Sequence, residues 1–127
     1  MQAREFYQSV AERAGLSREE ATDLTRATLR ALAERLSQGM VRALARGLPD
    51  GVAEEVRDVR GRPSRHTGLD EVELQVSEHT GLRLDEVHAG IAAVLAEMCE
   101  ALPAELVEKV LAQLPDEFRG LTSQQRD

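Results

Sequence analysis

Aromatic residues are scarce in this 127-residue sequence: two phenylalanines, one tyrosine and no tryptophan. The core must then be filled by Leu, Val, Ala and Met, the usual materials of helix bundles. A single cysteine, Cys99, excludes an intramolecular disulfide and leaves the redox setting open. Long apolar runs are missing as well. The most apolar segment, AGIAAVLAEMCEAL, is interrupted by Glu97 and Glu100 and is too short to cross a bilayer, so no membrane contact is expected. The opening MQAREFYQSV carries Glu5 and no apolar stretch, which argues against a signal peptide and sets a cytoplasmic protein as the expectation.

Against these absences, 42% hydrophobic and 31% charged residues place the chain with globular rather than disordered sequences. Its length suits one domain over 1–127. The net charge of −7 is unevenly spread. Residues 1–66 carry twelve arginines against ten carboxylates, and residues 67–127 carry three arginines and a lysine against thirteen. The second half repels phosphates, so nucleic acid is not an expected partner there.

Two stretches read as one phrase written twice: VAERAGLSREEA from residue 10 and VSEHTGLRLDEV from residue 76. An offset of 66 aligns Val10 with Val76, Gly15 with Gly81, Leu16 with Leu82, Glu20 with Glu86 and Leu29 with Leu95. The same offset carries Leu48-Pro49-Asp50 onto Leu114-Pro115-Asp116 without a gap. Gly-Leu and Leu-Pro-Asp recurring at one fixed offset point to an internal duplication.

The repeated residues fall where helices begin and end. Phe6 and Val10 lie one turn apart on a first helix, and Gly15 supplies the left-handed residue that stops it, with Leu16 folding back; Gly81 repeats the device. Ser17 and Glu20 form a capping box before a second helix of about 19 residues, striped by Ala21, Leu24, Thr28, Leu32 and Leu36. Its counterpart stripe is Val87, Ile91, Val94, Leu95, Met98 and Leu102, but Arg83 stands where the capping serine should be. A third helix carries Met40, Val41, Leu44 and Leu48, or Leu106, Val107, Val110, Leu111 and Leu114, with Pro103 in its first turn. Pro49 and Pro115 each sit near the first position of a short fourth helix, which Val52 or Phe118 anchors. The fold class predicted is an all-α, compact helical bundle of two similar four-helix repeats, about residues 3–56 and 69–121. Residues 57–68 form an Arg-rich linker and 122–127 a frayed tail.

That linker, RDVRGRPSRHTG, holds Arg57, Arg60, Arg62 and Arg65 beside His66. It is a candidate interaction segment for phosphate or RNA, although no aromatic side chain is present to stack on bases; the plainer reading is a solvated connection.

The segment VAERAGLSREEATDLTRATLRALAERL with its Leu-Pro-Asp, followed by VSEHTGL and VLAEMCEALPAELVEKVLAQLPDEFRGL, resembles the bacterial domain-of-unknown-function family 2267. The resemblance covers residues 5–121 and implies a small helical protein or module built from the same tandem unit. It implies no catalytic residue.

The residues themselves suggest little chemistry. His66, His79 and His88 are too scattered for a metal site, with no His-x-x-x-His or Glu-x-x-His pair. Cys99, between Leu95 and Leu102, reads as a small buried residue. Glu19, Glu20, Asp85 and Glu86 are explained by helix starts. No phosphate-loop, dinucleotide or serine-nucleophile motif is present. The expectation is a protein that is not an enzyme and needs no cofactor: a helical protein-interaction or scaffold module, possible as a homodimer. Two alternatives stand beside it. One is a nucleic-acid-associated regulator acting through the Arg-rich linker. The other is a small-molecule sensor with a pocket between the repeats, lined by Gly90, Ala93 and Met98.

Overall fold

The computed structural model describes residues 1–60 and 68–124. They form α1 (Ala3–Ala14), α2 (Arg18–Ala33), α3 (Gln38–Gly47), α4 (Asp50–Arg57), α5 (Leu69–Thr80), α6 (Leu84–Ala101), α7 (Ala104–Gln113) and α8 (Glu117–Gln124), with no strand among the described residues. Adding 66 to the bounds of α1 and of α3 gives the bounds of α5 and of α7. Helix α6 outruns that register by two residues at its C-terminus, and α8 starts one residue late.

Phe6, Val10 and Ala11 recur at helical spacing and are the buried face of α1. The helix stops because Gly15 adopts φ 68, which lets the Leu16 amide donate to the Ala11 carbonyl at 3.0 Å. Gly81 does the same at φ 76 after α5, its own amide donating to Ser77 O at 2.8 Å. Here the hydroxyls of Ser77 and Thr80 help. Ser77 Oγ donates to Leu82 O at 2.7 Å, and Thr80 Oγ1 accepts from the Leu82 amide at 3.2 Å. A Cβ added at Gly81 would meet nothing within 4 Å, so the cost of a side chain there is purely that of the backbone conformation. Gly81→Val is expected to destabilise by more than about 1 kcal/mol. Denaturant midpoints measure this, and an unchanged midpoint would show that the positive φ is not required.

Helix α2 begins with a complete capping box. Ser17 Oγ accepts from the Glu20 amide at 3.1 Å, and Glu20 Oε1 accepts from the Ser17 amide at 2.9 Å. Helix α6 keeps half of it. Glu86 Oε1 accepts from the Arg83 amide at 3.0 Å, but the guanidinium of Arg83 offers no acceptor and turns to Asp85 Oδ1 at 3.1 Å. Helix α2 is shorter than its periodicity suggests. The amides of Arg35 and Leu36 bond to Leu32 O and Ala33 O, three residues back, so the last turn tightens and closes. The prolines stand slightly earlier than expected: Pro49 and Pro103 are the N-cap residues of α4 and α7, and Pro115 lies two residues before α8. Arg57 closes α4 rather than opening the connection, and α8 runs to Gln124, into the segment expected to fray.

The two long helices, α2 and α6, cross at the centre. Helix α1 packs on both of them, and so does α5. Each of these helices therefore lies against the long helix that is remote in sequence as well as the one that follows it. Helix α4 rests on α2 and α3, α8 on α6, and α3 meets α7. One continuous apolar core results, from Phe6 to Leu121, with Leu24, Leu29, Leu32, Leu36, Ile91 and Phe118 among its fully buried members. At the crossing, Gly90 has no side chain because Leu24 occupies the space where one would stand. Ala93 and Met98, named with Gly90 as the lining of a possible pocket, are buried.

Candidate interaction surface

Several polar side chains in the described residues fasten helices that are distant in sequence. Arg13, at the end of α1, donates through Nε to Glu97 Oε1 at 2.7 Å and through Nη2 to Glu100 Oε1 at 2.9 Å, both on α6. The Glu97 side chain is 1% exposed, and its second oxygen, Oε2, has no hydrogen-bond partner among the described residues. The hydrogen bond to Glu97 is the main reason that the Arg13 guanidinium holds its proton even more firmly than usual.

On the other flank, Gln75 of α5 donates to Glu34 Oε1 at 2.8 Å and accepts from Arg35 Nη2 at 3.3 Å, while Arg35 Nη1 donates to Ala31 O at 2.7 Å. Between α3 and α7, the Ser37 amide donates to Gln113 Oε1 at 2.8 Å, and Gln113 Nε2 returns to Ser37 Oγ at 3.2 Å. The Leu69 amide at the start of α5 donates to Glu117 Oε1 of α8 at 3.1 Å. Glu55 of α4 forms ion pairs with Arg26 and Arg30 of α2 at 3.3 and 3.5 Å. The neighbouring Tyr7 phenol is pushed up by burial, partly offset by a hydrogen bond with Arg26.

The candidate residues are not brought together. Gly15, Ser17, Glu20, Pro49, Gly81 and Pro115 are spread over helix ends, as described above. Arg57 and Arg60 are exposed and border a shallow groove with Gln38, Asp58 and Val59; Arg62, Arg65 and His66 lie outside the described residues. His79 Nδ1 is 3.1 Å from the Gln75 carbonyl, and His88 Nδ1 is 2.6 Å from Glu73 Oε2. No group of three or more His, Cys, Asp or Glu side chains among the described residues could hold a metal ion. No helix among them is long and apolar enough to cross a membrane.

Cys99 is exposed, contrary to the expectation of a buried small residue. Helix α6 is buried on every side from Gly90 to Met98 and emerges from the core at Cys99 and Glu100, so the apolar spacing around Cys99 misleads.

What the surface does offer is two half-exposed leucines. Leu74 on α5 is 51% exposed, and Leu84 at the start of α6 is 50% exposed. Asp70, Glu71 and Glu78 lie one turn before and one turn after Leu74 and are exposed as well, so the leucine is framed by carboxylates on one helix face. The sequence signal for this face was the strongly negative second half.

A family model described as "Uncharacterized conserved protein (DUF2267)" matches residues 3–121. The chain belongs to the DUF2267 family. The DUF2267 match opens at the first residue of α1 and closes within α8, so it takes in every helix and the Arg-rich connection. No curated protein matches the chain.

Proposed function

We propose that this DUF2267 protein is a duplicated helical protein-interaction module, two four-helix units over about 3–56 and 69–121 that form one body. The coincident helix bounds at an offset of 66 and the matched glycine caps support the duplication. The observation that carries the functional reading is the exposed Leu74 in its frame of Asp70, Glu71 and Glu78. An apolar centre with a charged rim is the anatomy of a protein-binding patch. The sign of that rim favours a partner presenting lysine or arginine around an apolar side chain.

Leu74→Ser is expected to cost no more than about 1 kcal/mol of stability, since the residue is already half exposed. In affinity capture from cells that make the protein, the same change should reduce recovery of a partner at least about fivefold, the factor that 1 kcal/mol gives. Capture should also weaken as salt rises from about 50 to about 500 mM. An unchanged set of captured proteins with Leu74→Ser would overturn the assignment of this face.

A further inference from the structure

The two halves are covalently joined only through residues 58–68, yet their packing interlocks. Helix α1 lies on α6 and α5 lies on α2, and the long helices themselves cross at Leu24 and Gly90. The polar fastenings follow the same course: Arg13 to Glu97 and Glu100, Gln75 to Glu34, and Ser37 to Gln113 all run from one half to the other. Each half thus presents a surface whose complement is the other half. Nothing in that complementarity requires the two halves to belong to one chain.

We propose that a second copy of this chain is a partner for this surface: the halves exchange, residues 1–57 of one copy closing on residues 69–124 of another, to give a two-fold domain-swapped dimer. It rests on the two-unit reading above but not on the α5 face. Every contact of the monomer core is kept in the dimer. The balance is then set by chain concentration against the effective concentration that the connection imposes, on the order of millimolar for short links. The barrier to exchange is separation of the halves, each near the size at which a lone core is marginal. Exchange is therefore expected on refolding at high concentration rather than on mixing of folded monomers.

The crossing point supplies a test. A Cβ built on Gly90 would lie 3.0 Å from Leu24 Cγ, which places the two Cβ positions within about 4.5 Å of each other, inside disulfide range. With Cys99→Ser as background, Leu24→Cys and Gly90→Cys are made in separate chains and also together in one chain. The double variant, refolded at low concentration with oxidant, should form an intramolecular bond and establishes that the geometry permits it. The two single variants, mixed in denaturant and refolded at about 1 mM, should give a 24–90 disulfide between chains, found by peptide mass mapping, in a dimer with native helical content. Should Gly90→Cys fold poorly alone, the mixture still reports. In the exchanged dimer the two introduced thiols face each other at one crossing, and the other crossing is the native Leu24 on Gly90. An intramolecular bond in the double variant with no 24–90 bond between mixed chains would overturn the proposal. So would wild-type protein remaining wholly monomeric by native mass spectrometry after the same refolding. Neither result touches Leu74, so failure here and failure of the α5 face are distinguishable.

Discussion

Arg13→Ala is expected to cost about 3–5 kcal/mol of stability, the range found when one member of a buried ion pair is removed. The reason lies with Glu97 rather than with the arginine. Arg13 keeps part of its side chain in solvent and can be hydrated, whereas Glu97 is 1% exposed with one oxygen already lacking a partner. Removing the guanidinium leaves a carboxylate in the last turns of α6, in the same buried stretch as Val94, Leu95 and Met98, without the cation it bonds to. Glu97→Leu should behave oppositely, near neutral or somewhat stabilising, because the desolvation cost disappears with the charge. Arg13→Ala combined with Glu97→Leu should recover most of the loss. Urea denaturation of the three variants decides the matter; a loss of less than about 1 kcal/mol in Arg13→Ala would show that the pair is not what keeps α1 on α6.

The second large effect is expected at the helix crossing. Leu24→Gly empties the space over Gly90 and places a second glycine inside a helix. A cavity term of about 2–5 kcal/mol and a helix-propensity cost of about 1 kcal/mol add to roughly 3–6. Gly90→Leu has the reverse fault, since the new side chain enters space held by Leu24, and overpacking of this kind costs about 1–3 kcal/mol. Leu24 lies directly over Gly90, so the exchanged pair, Leu24→Gly with Gly90→Leu, fills the same gap from the other side. The double variant should therefore be more stable than Leu24→Gly by several kcal/mol, a coupling that only residues in contact show. Additive losses would argue that the halves are not interchangeable at their centre.

The elements of this fold were legible because the sequence marks their ends twice. Gly15 and Gly81 announce where α1 and α5 stop, and Ser17 with Glu20 announces where α2 begins. The apolar spacing from Ala21 to Leu36 then marks the buried face of α2, whereas α6 is buried on every side from Gly90 to Met98, beyond what its stripe shows. Packing partners were not legible. Nothing in a helical stripe says whether α1 covers its own neighbour or a helix some eighty residues away, because each offers the same aliphatic surface. Glu97 shows the limit most plainly. In the sequence it interrupts an apolar run and suggests exposure, yet Arg13, 84 positions earlier, allows it to be buried. Cys99 errs the other way, because the core ends one residue before it. Leu74 falls out of phase with Leu69, Val72 and Val76 and aligns with Gln8 at the offset of 66, so the spacing itself marks it as the odd leucine of α5.

The cover that α5 and α6 provide for α2 also bears on how the protein is made. At a synthesis rate of about 5–20 residues per second, the apolar face formed by Leu24, Thr28 and Leu32 leaves the ribosome several seconds before the residues that will shield it. During that interval α2 has only α1 and α4 for company, and α1 itself still lacks the carboxylate that Arg13 will find. Slowing translation after residue 37 should lengthen the exposure and raise the share of nascent chains held by chaperones.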